Sequence, residues 1–359
     1  MTAALNNIRW HSFLARPALA SRTPDALAPL AGQTILITGA GGSIGSALAM
    51  RLAALSAKLV LLEASEGNLY TLLRDWPAAA PTVSVLGSVT DQSLLDETFA
   101  LHQPRIVFHA AAFKHVPLME QQPLAAIANN IFGAATLAHA AASRGARVVL
   151  LSTDKAVEPA SVMGATKRVA EQIVLSDGGT ALRLGNVLAS RGSVAEVFAR
   201  QIASGGPLTV TSPSARRYFL TLDEAVNLLL SAALLPPPPT SPGTLFAPSL
   251  PTTHTICALA AFMTRELAPG QVIPIQFTGL RAGDKETELL WAADEQPQPS
   301  TQASLLTIHS NPSPPSLHRL RAALDARDVT AALDELQRLV PHYAPGAAVL
   351  ALAAARVHA

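Results

Sequence analysis

The sequence predicts an α/β protein, a doubly wound parallel sheet with a smaller C-terminal lid over its carboxyl edge. Three observations predict it. Short apolar runs at 34–38, 58–62, 82–86, 105–109, 148–151 and 180–184 alternate with helix-compatible segments, and such alternation builds a parallel sheet buried on both faces. A glycine-rich turn stands between the first strand and the first helix. After residue 185 loops and short helices dominate, and prolines bunch at 236–239 and around 297–315.

Composition narrows the function classes. The chain has 359 residues, enough for a large core and two domains. Lys+Arg of 26 against Asp+Glu of 25 gives a net charge of +1. A nucleic-acid partner would need a clustered basic surface, so none is expected. The single cysteine, Cys257, excludes an intrachain disulfide and a cysteine-based zinc site; it reads as a small buried hydrophobe. No sustained apolar h-region or membrane-spanning run is read, which makes cytoplasmic residence the expectation.

Residues 1–31 form a lead-in, with Trp10 tacking it onto the body. The strand at 34–38 runs into Gly39, Gly42 and Gly45. Between strand and helix, this spacing lets the backbone N–H groups around Ser43 and Ile44, with a helix N-terminus, face a pyrophosphate. A helix follows over 47–55. The next strand ends in Glu63, close to the ~20-residue spacing at which an acid holds the adenosine ribose. A carboxylate there disfavours a 2′-phosphate and no arginine follows at once, so the cofactor read is NAD rather than NADP.

The third strand, 82–86, leads into Gly87-Ser88-Val89 and a helix over 91–101. The fourth, 105–109, leads into Ala110, Ala111 and Ala112, whose small side chains allow close approach of a cofactor. Lys114 is placed to meet a phosphate or sugar; His109 and His115 read as packing histidines. The long helix at 123–143 carries Asn129 and Asn130, and a buried Asn there usually satisfies neighbouring main chain.

The fifth strand opens into Ser152–Lys167, where the chemistry concentrates. Thr153, Asp154 and Lys155 emerge at the carboxyl end of the strand, the ligand-binding side of an open α/β sheet. Met163 and Lys167 stand four apart, on one face of a helix. A hydroxyl, a carboxylate and an amine side by side supply hydrogen bonding, acid and base to one substrate.

The sixth strand, 180–184, leads to Asn186 and Arg191, then to a helix over 194–204 and an extended stretch at 208–211. Arg216 and Arg217 suit a diphosphate, because Arg binds phosphate bidentately. Helices are read at 222–234 and 256–267, a charged turn at 279–285 with Arg281 and Asp284, a proline- and serine-rich loop at 296–316, and one or two amphipathic helices at 317–339. The domain reading is a dinucleotide-binding unit at 32–185 with 218–250 returning to it, a second unit from 186–217 and 251–345, and a tail at 346–359.

These motifs carry a resemblance. Thr34 to Gly45, with Phe108-His-Ala-Ala-Ala-Phe-Lys-His-Val-Pro-Leu-Met-Glu120, resembles the extended short-chain dehydrogenase/reductase superfamily with its Rossmann sheet. Ser152-Thr-Asp-Lys-Ala, Val162-Met-Gly-Ala-Thr-Lys-Arg168, Arg183-Leu-Gly-Asn-Val, Gly192-Ser-Val, Arg217-Tyr-Phe and Gly279-Leu-Arg are similar to the polysaccharide-biosynthesis nucleotide-sugar 4,6-dehydratases, over roughly residues 32–345. Known members act on UDP-N-acetylglucosamine, and the family tends to homo-oligomers.

The resemblance implies a sequence of steps. The nicotinamide oxidises C4 of the sugar to a ketone, Lys155 removes the acidified C5 proton, Asp154 protonates the departing C6 hydroxyl, and hydride returns to C6. Thr153 would bond the C4 oxygen. Lys167 would hold the nicotinamide ribose and help depress the pKa that a lysine base needs lowered. Gly39, Gly42, Ser43, Ile44, Gly45, Glu63, Ser88, Val89, Ala110, Ala111, Ala112, Lys114, Asn130 and Lys167 form the implied cofactor set. Lys114, His115, Asn186, Arg191, Arg217, Arg281 and Asp284 form the implied UDP-sugar set.

Three departures from the family pattern matter. Met163 stands where most short-chain dehydrogenases have tyrosine, and methionine neither gives nor takes a proton. In the resembled family that methionine is typical of larger, membrane-anchored members that retain the C5 configuration, so retention is expected. Their membrane-spanning leader is not read here, so the expectation is that this chain corresponds to their catalytic portion. Ser88 stands where aspartate is usual, which would weaken contact with adenine; Asp284 for glutamate and Ala282 for proline are milder changes. Two other readings use the same residues: a nucleotide-sugar 4-epimerase and a non-catalytic dinucleotide-binding protein.

Overall fold

The computed structural model describes residues 5, 7–19, 23, 25–55, 57–77, 80–235, 243–310 and 313–357. Six apolar runs become strands β1 (Thr34–Thr38), β2 (Lys58–Glu63), β3 (Thr82–Leu86), β4 (Ile106–His109), β5 (Arg147–Thr153) and β6 (Thr180–Leu184). Thr244–Pro248 is β7, Gln296–Pro299 β8 and Leu305–His309 β9. They form one nine-stranded sheet in the order β8-β9-β7-β6-β5-β4-β1-β2-β3. From β7 to β3 every pairing is parallel; β9 adds antiparallel to β7, and β8 to β9. The chain starts at β1 and winds outward both ways, so the strand order reverses between β1 and β4, where a crevice opens at their carboxyl ends.

Helices cover both faces. Helix α1 is Trp10–Leu14, α2 Ser43–Ala53, α3 Glu66–Arg74, α4 Gln92–His102 and α5 Val116–Gln121. The long apolar helix α6, Pro123–Ala142, contains a π-helical turn over Ile127–Phe132, a distortion common at functional sites. It is long and apolar enough to cross a bilayer, yet 67% of its apolar window is buried inside the molecule, against α4 and helix α7 (Val162–Ser176). Helices α8 (Val194–Ala203), α9 (Leu222–Leu234) and α10 (Ile256–Leu267) follow. Ser161 caps α7 by accepting from Gly164 N at 3.1 Å, which fixes the first turn bearing Met163.

The core divides in three. The largest cluster fills the space around β1–β7, α2 and α9. A second joins α5, α6 and α7 to the C-terminal helices α11 (His318–Asp325), α12 (Val329–Leu339) and α13 (Ala347–Val357). The third builds the smaller lobe from α1, α8, α10 and short strand pairs such as Leu208–Val210 with Ile275–Phe277. Cys257 on α10 is half-buried rather than buried.

Several expectations change. Residues 296–316 are not all loop: β8 and β9 extend the main sheet, and Leu305 and Ile308, on opposite faces of β9, are both buried where it pairs with β7. The stretch read as a tail is helical over 347–357, where α13 buries Val349 and Ala353 against the second cluster. Residues 296–299, 305–309 and 318–339 therefore pack on the large sheet and its helices, although the sequence reading placed them in the second unit. The lead-in is held by more than Trp10. Its Arg16 forks onto Glu224 at 2.6 and 3.0 Å, and Glu224 closes the capping box of α9 with Thr221. The tetraproline lies outside the described residues.

Candidate functional site

The crevice between β1 and β4 is shaped by what its glycines lack. Gly39 has φ of +66°, and a Cβ there would lie 2.7 Å from Ala111 N at the end of β4. A Cβ on Gly45 would collide with the Gly39 carbonyl oxygen. Gly42 is the N-cap of α2 and brings no side chain to its free N–H groups, those nearest Ser43 and Ile44. Such an N-terminus is an anion site, and the half-buried Ala110, Ala111 and Ala112 leave room beside it. The residues present thus fit a dinucleotide.

Glu63 sits at the end of β2, but its oxygens are engaged: Oε2 accepts from Gly41 N at 2.9 Å and Oε1 from Ser65 N at 3.0 Å. It braces the glycine turn, and only its remaining lone pairs are open to a ribose. Ser88 is half-buried and bonded to Thr90 Oγ1 at 2.8 Å, while Val89 is buried next to Gly133. Asn130, on the π turn, clasps both N–H and C=O of Phe113 at 2.8 and 3.0 Å and donates to Thr166 Oγ1. It shapes the loop after β4 rather than reaching into the crevice, as buried amides do.

Arg191 is not with Arg217. Its N–H donates to Ser43 Oγ and its Nη1 to Gly41 O and Asn68 Oδ1, each at 2.9 Å. Lys114 Nζ in turn donates to Arg191 O at 2.7 Å. Both expected sugar residues therefore close over the glycine turn. His115 lies against Gly192, where a Cβ would meet its Cε1 at 2.5 Å.

At the carboxyl end of β5 the three chemical groups meet. Thr153 Oγ1 donates to Asp154 Oδ1 at 2.9 Å, and Lys155 Nζ donates to the same oxygen at 3.0 Å and to Asn186 Oδ1 at 3.1 Å. Asp154 is fully buried, and its Oδ2 has no partner among the described residues. Burial raises its pKa above the usual carboxylate value, and the attraction of Lys155 offsets this only in part. Burial pulls Lys155 down, but Asp154 and Glu288 outweigh it and leave its pKa raised. This corrects the expectation of a depressed lysine. Tyr218 also faces the pair: its phenol is raised by burial and then by the Asp154 charge.

Met163 and Lys167 do share a face of α7, and both are buried. Burial lowers Lys167 to about 8, with Glu171 offsetting part of it. No hydrogen bond holds its ammonium among the described residues, so it is free to meet a ligand. His109, buried and beside Lys167, is pulled down to about 3 and bonds Thr38 Oγ1 at 2.7 Å, a packing histidine that stays neutral. Beneath the site, fully buried Arg183 forks onto Glu171 and Glu295. Ser152 donates to Glu171 at 2.5 Å. This network ties α7, β5 and β6 together.

Arg217 does not project a free guanidinium. Its Nη1 donates to the carbonyls of Arg216 and Glu286 and its Nη2 to that of Lys285, at 2.7 to 2.9 Å. Arg281 and Asp284 pair with each other at 2.8 Å on the outer part of the same segment. Sequence reasoning missed Glu288, which lies 3.8 Å from Lys155 Nζ, 2.9 Å from Lys285 Nζ and 3.9 Å from Arg217 Nε. The one signal was its place just after the charged turn.

Comparison with known proteins agrees with this architecture. Residues 35–310 match the model of the family described as "Polysaccharide biosynthesis protein". The chain belongs to this family. It is 37% identical over 304 residues to the probable polysaccharide biosynthesis protein EpsC of Bacillus subtilis, covering 81% of this chain and 50% of EpsC. Like the match to CapD of Staphylococcus aureus, this spans about half the length of the relative. Another family relative, the UDP-glucose 4-epimerase of Rickettsia canadensis, is 35% identical over 73% of this chain and 79% of its own. The solved structure of Pen from Bacillus thuringiensis superposes with a TM-score of 0.72 at 28% identity, over 78% of this chain and 89% of Pen. A UDP-glucose 4-epimerase of Thermus thermophilus in complex with NAD shares the fold, at 22% identity and a TM-score of 0.60 over 72% and 90% of the two chains.

Proposed function

We propose that this chain is an NAD-dependent nucleotide-sugar 4,6-dehydratase, a lyase that converts UDP-N-acetylglucosamine to its 4-keto-6-deoxy derivative with the C5 configuration retained. The observation that carries the reading is the buried Asp154, its Oδ2 unpartnered, bonded to Lys155 at the carboxyl end of β5. The glycine turn with Gly39, Gly42 and Gly45 would hold NAD, which would supply hydride-transfer chemistry at C4 and C6.

The chain's own residues do the proton work. Thr153 offers its hydroxyl to the C4 oxygen and relays the proton lost there to Asp154 Oδ1, 2.9 Å away, as the ketone forms. A 4-ketone makes the neighbouring C5 proton acidic, and Lys155 removes it as the neutral amine. Asp154 donates a proton to the C6 hydroxyl, which leaves as water. The resting pair is an ammonium against a carboxyl whose pKa is raised. The cycle starts once Lys155 has lost its proton: Asp154 becomes the acid by taking the C4 hydroxyl proton through Thr153, and Lys155 finally returns its proton to C5, which restores the amine and the carboxylate. Lys167 holds the ribose, and Met163 fills the face beside it without entering the proton transfers. Arg191, Lys114 and Ser43 close over the diphosphate of the cofactor, while Asn186, His115, Arg281 and Asp284 line the approach for the UDP-sugar.

The 4-epimerase reading has the Rickettsia relative in its favour. The Asp154–Lys155 pair speaks against it, since an epimerase takes no C5 proton and releases no C6 hydroxyl; Met163 does not decide, because both readings must deprotonate the C4 hydroxyl and a thioether does not. Solvent deuterium separates the two. Incubated in D2O with UDP-N-acetylglucosamine and NAD, the purified chain should release a product that absorbs in alkali and carries deuterium at C5. A 4-epimerase leaves C5 unlabelled, and no product from any nucleotide sugar would defeat both enzyme readings.

A further inference from the structure

A third carboxylate stands at the proposed acid–base pair. Glu288 is buried, with its side chain only 3% exposed, and lies on the segment that also carries Arg281 and Asp284. Its Oε1 is 3.8 Å from Lys155 Nζ, so Lys155 sits between Asp154 on its own turn and Glu288 from a segment more than a hundred residues away. The charged and titratable groups facing this pocket are few. Lys285 is paired to Glu288 Oε2 at 2.9 Å and also donates to Val157 O; Arg217 approaches Glu288 at 3.9 Å; Tyr218 faces Asp154; and Asn186 accepts from Lys155.

We propose that Glu288 is a positioning residue for Lys155: it keeps the ammonium turned toward Asp154 and sets the pH at which the amine becomes available as base. The inference rests on Lys155 being the base proposed above. The physical reason is charge count in a poorly solvated pocket. With Glu288 in place, three cations, Lys155, Lys285 and Arg217, face two carboxylates. Without it they face Asp154 alone, and Lys155 loses its proton more easily. Two observations agree with this placing. Glu288 is held below the usual carboxylate range because its cations outweigh its burial, so it is ionised while Asp154 is pushed up. Two carboxyl groups whose environments drive them apart divide their roles: Asp154 carries the mobile proton and Glu288 the fixed charge. Arg217, clamped on the carbonyls of 285 and 286, then serves to hold the Glu288 segment against the pair.

The test is a titration of Lys155 by competitive labelling with acetic anhydride, read by mass spectrometry of its peptide from pH 7 to 11. Only the neutral amine reacts. In Glu288→Gln the labelling midpoint should fall by about one to three pH units, and in Glu288→Asp it should stay near that of the parent. The rising limb of kcat against pH should move by the same amount in Glu288→Gln, whereas a merely structural role would lower kcat without moving the limb. An unmoved midpoint in Glu288→Gln overturns the proposal. Should that variant not fold, the parent decides: a Lys155 midpoint above that of an exposed lysine supports the proposal, and one below it overturns it. Labelling needs no substrate. A shifted midpoint with no dehydratase product would fault the function proposed above and leave this inference standing.

Discussion

Lys155 and Lys167 show how two lysines a few residues apart acquire opposite tendencies. Lys155 is half-buried and faces two carboxylates, while buried Lys167 has only the partial help of Glu171. Replacing Lys155 by alanine should lower kcat by about 10²- to 10⁴-fold and leave NAD affinity, measured by calorimetry, unchanged; full turnover in that variant would remove Lys155 as the base. Lys167 makes a second prediction, about stability. Its pKa is lowered from 10.5 to about 8 on folding, so between those values the unfolded chain binds more protons and stability rises with pH. The rise is worth about 3 kcal/mol at ~1.36 kcal/mol per unit. Urea unfolding of Lys167→Met should lack it and show a protein more stable than the parent at pH 7; equal slopes in the two proteins would contradict the burial argument.

Elements place these side chains, and the turn from β1 into α2 is the most demanding of them. Gly39 is left-handed and touches the end of β4, so Gly39→Ala is strained both ways. We expect it to cost about 1–3 kcal/mol in denaturant unfolding and to weaken NAD binding at least tenfold by calorimetry. Wild-type affinity would mean that the crevice tolerates a side chain and is not shaped for a pyrophosphate. The π turn in α6 acts at the same scale. It turns Asn130 onto Phe113, and periodicity alone does not announce it, because α6 is apolar along its length and the ~100° rotation caused by one inserted residue moves no polar stripe.

In the whole molecule, the C-terminal helices stand behind the site. Tyr343 and Val349, both fully buried, join α12 and α13 to the cluster that backs α7. A chain ending at residue 345 uncovers the face that α13 occupies. It should lose about 2–4 kcal/mol of stability, since burying one such side chain is worth ~1.5–3 kcal/mol, and keep its kcat at temperatures where it remains folded. An unchanged melting temperature would show that α13 docks without stabilising.

Six strands of the parallel sheet, the glycine turn and the Thr153-Asp154-Lys155 group at a strand end were readable from residues alone. Each is a local pattern: apolar runs of strand length, glycines at fixed spacing, three chemical groups in succession. The two edge strands at 296–309 were hidden because Pro297 and Pro299 fill alternate positions of β8 and suggest a loop, which an antiparallel edge tolerates. The site divides along the same line. Its nucleus was visible, but only tertiary structure decided that Arg191 closes over the glycine turn, that Arg217 is spent on backbone carbonyls, that Glu63 braces Gly41, and that Glu288 faces Lys155. The physical reason is that a pKa or an ion pair depends on burial and on charges brought from distant segments, and linear order carries neither.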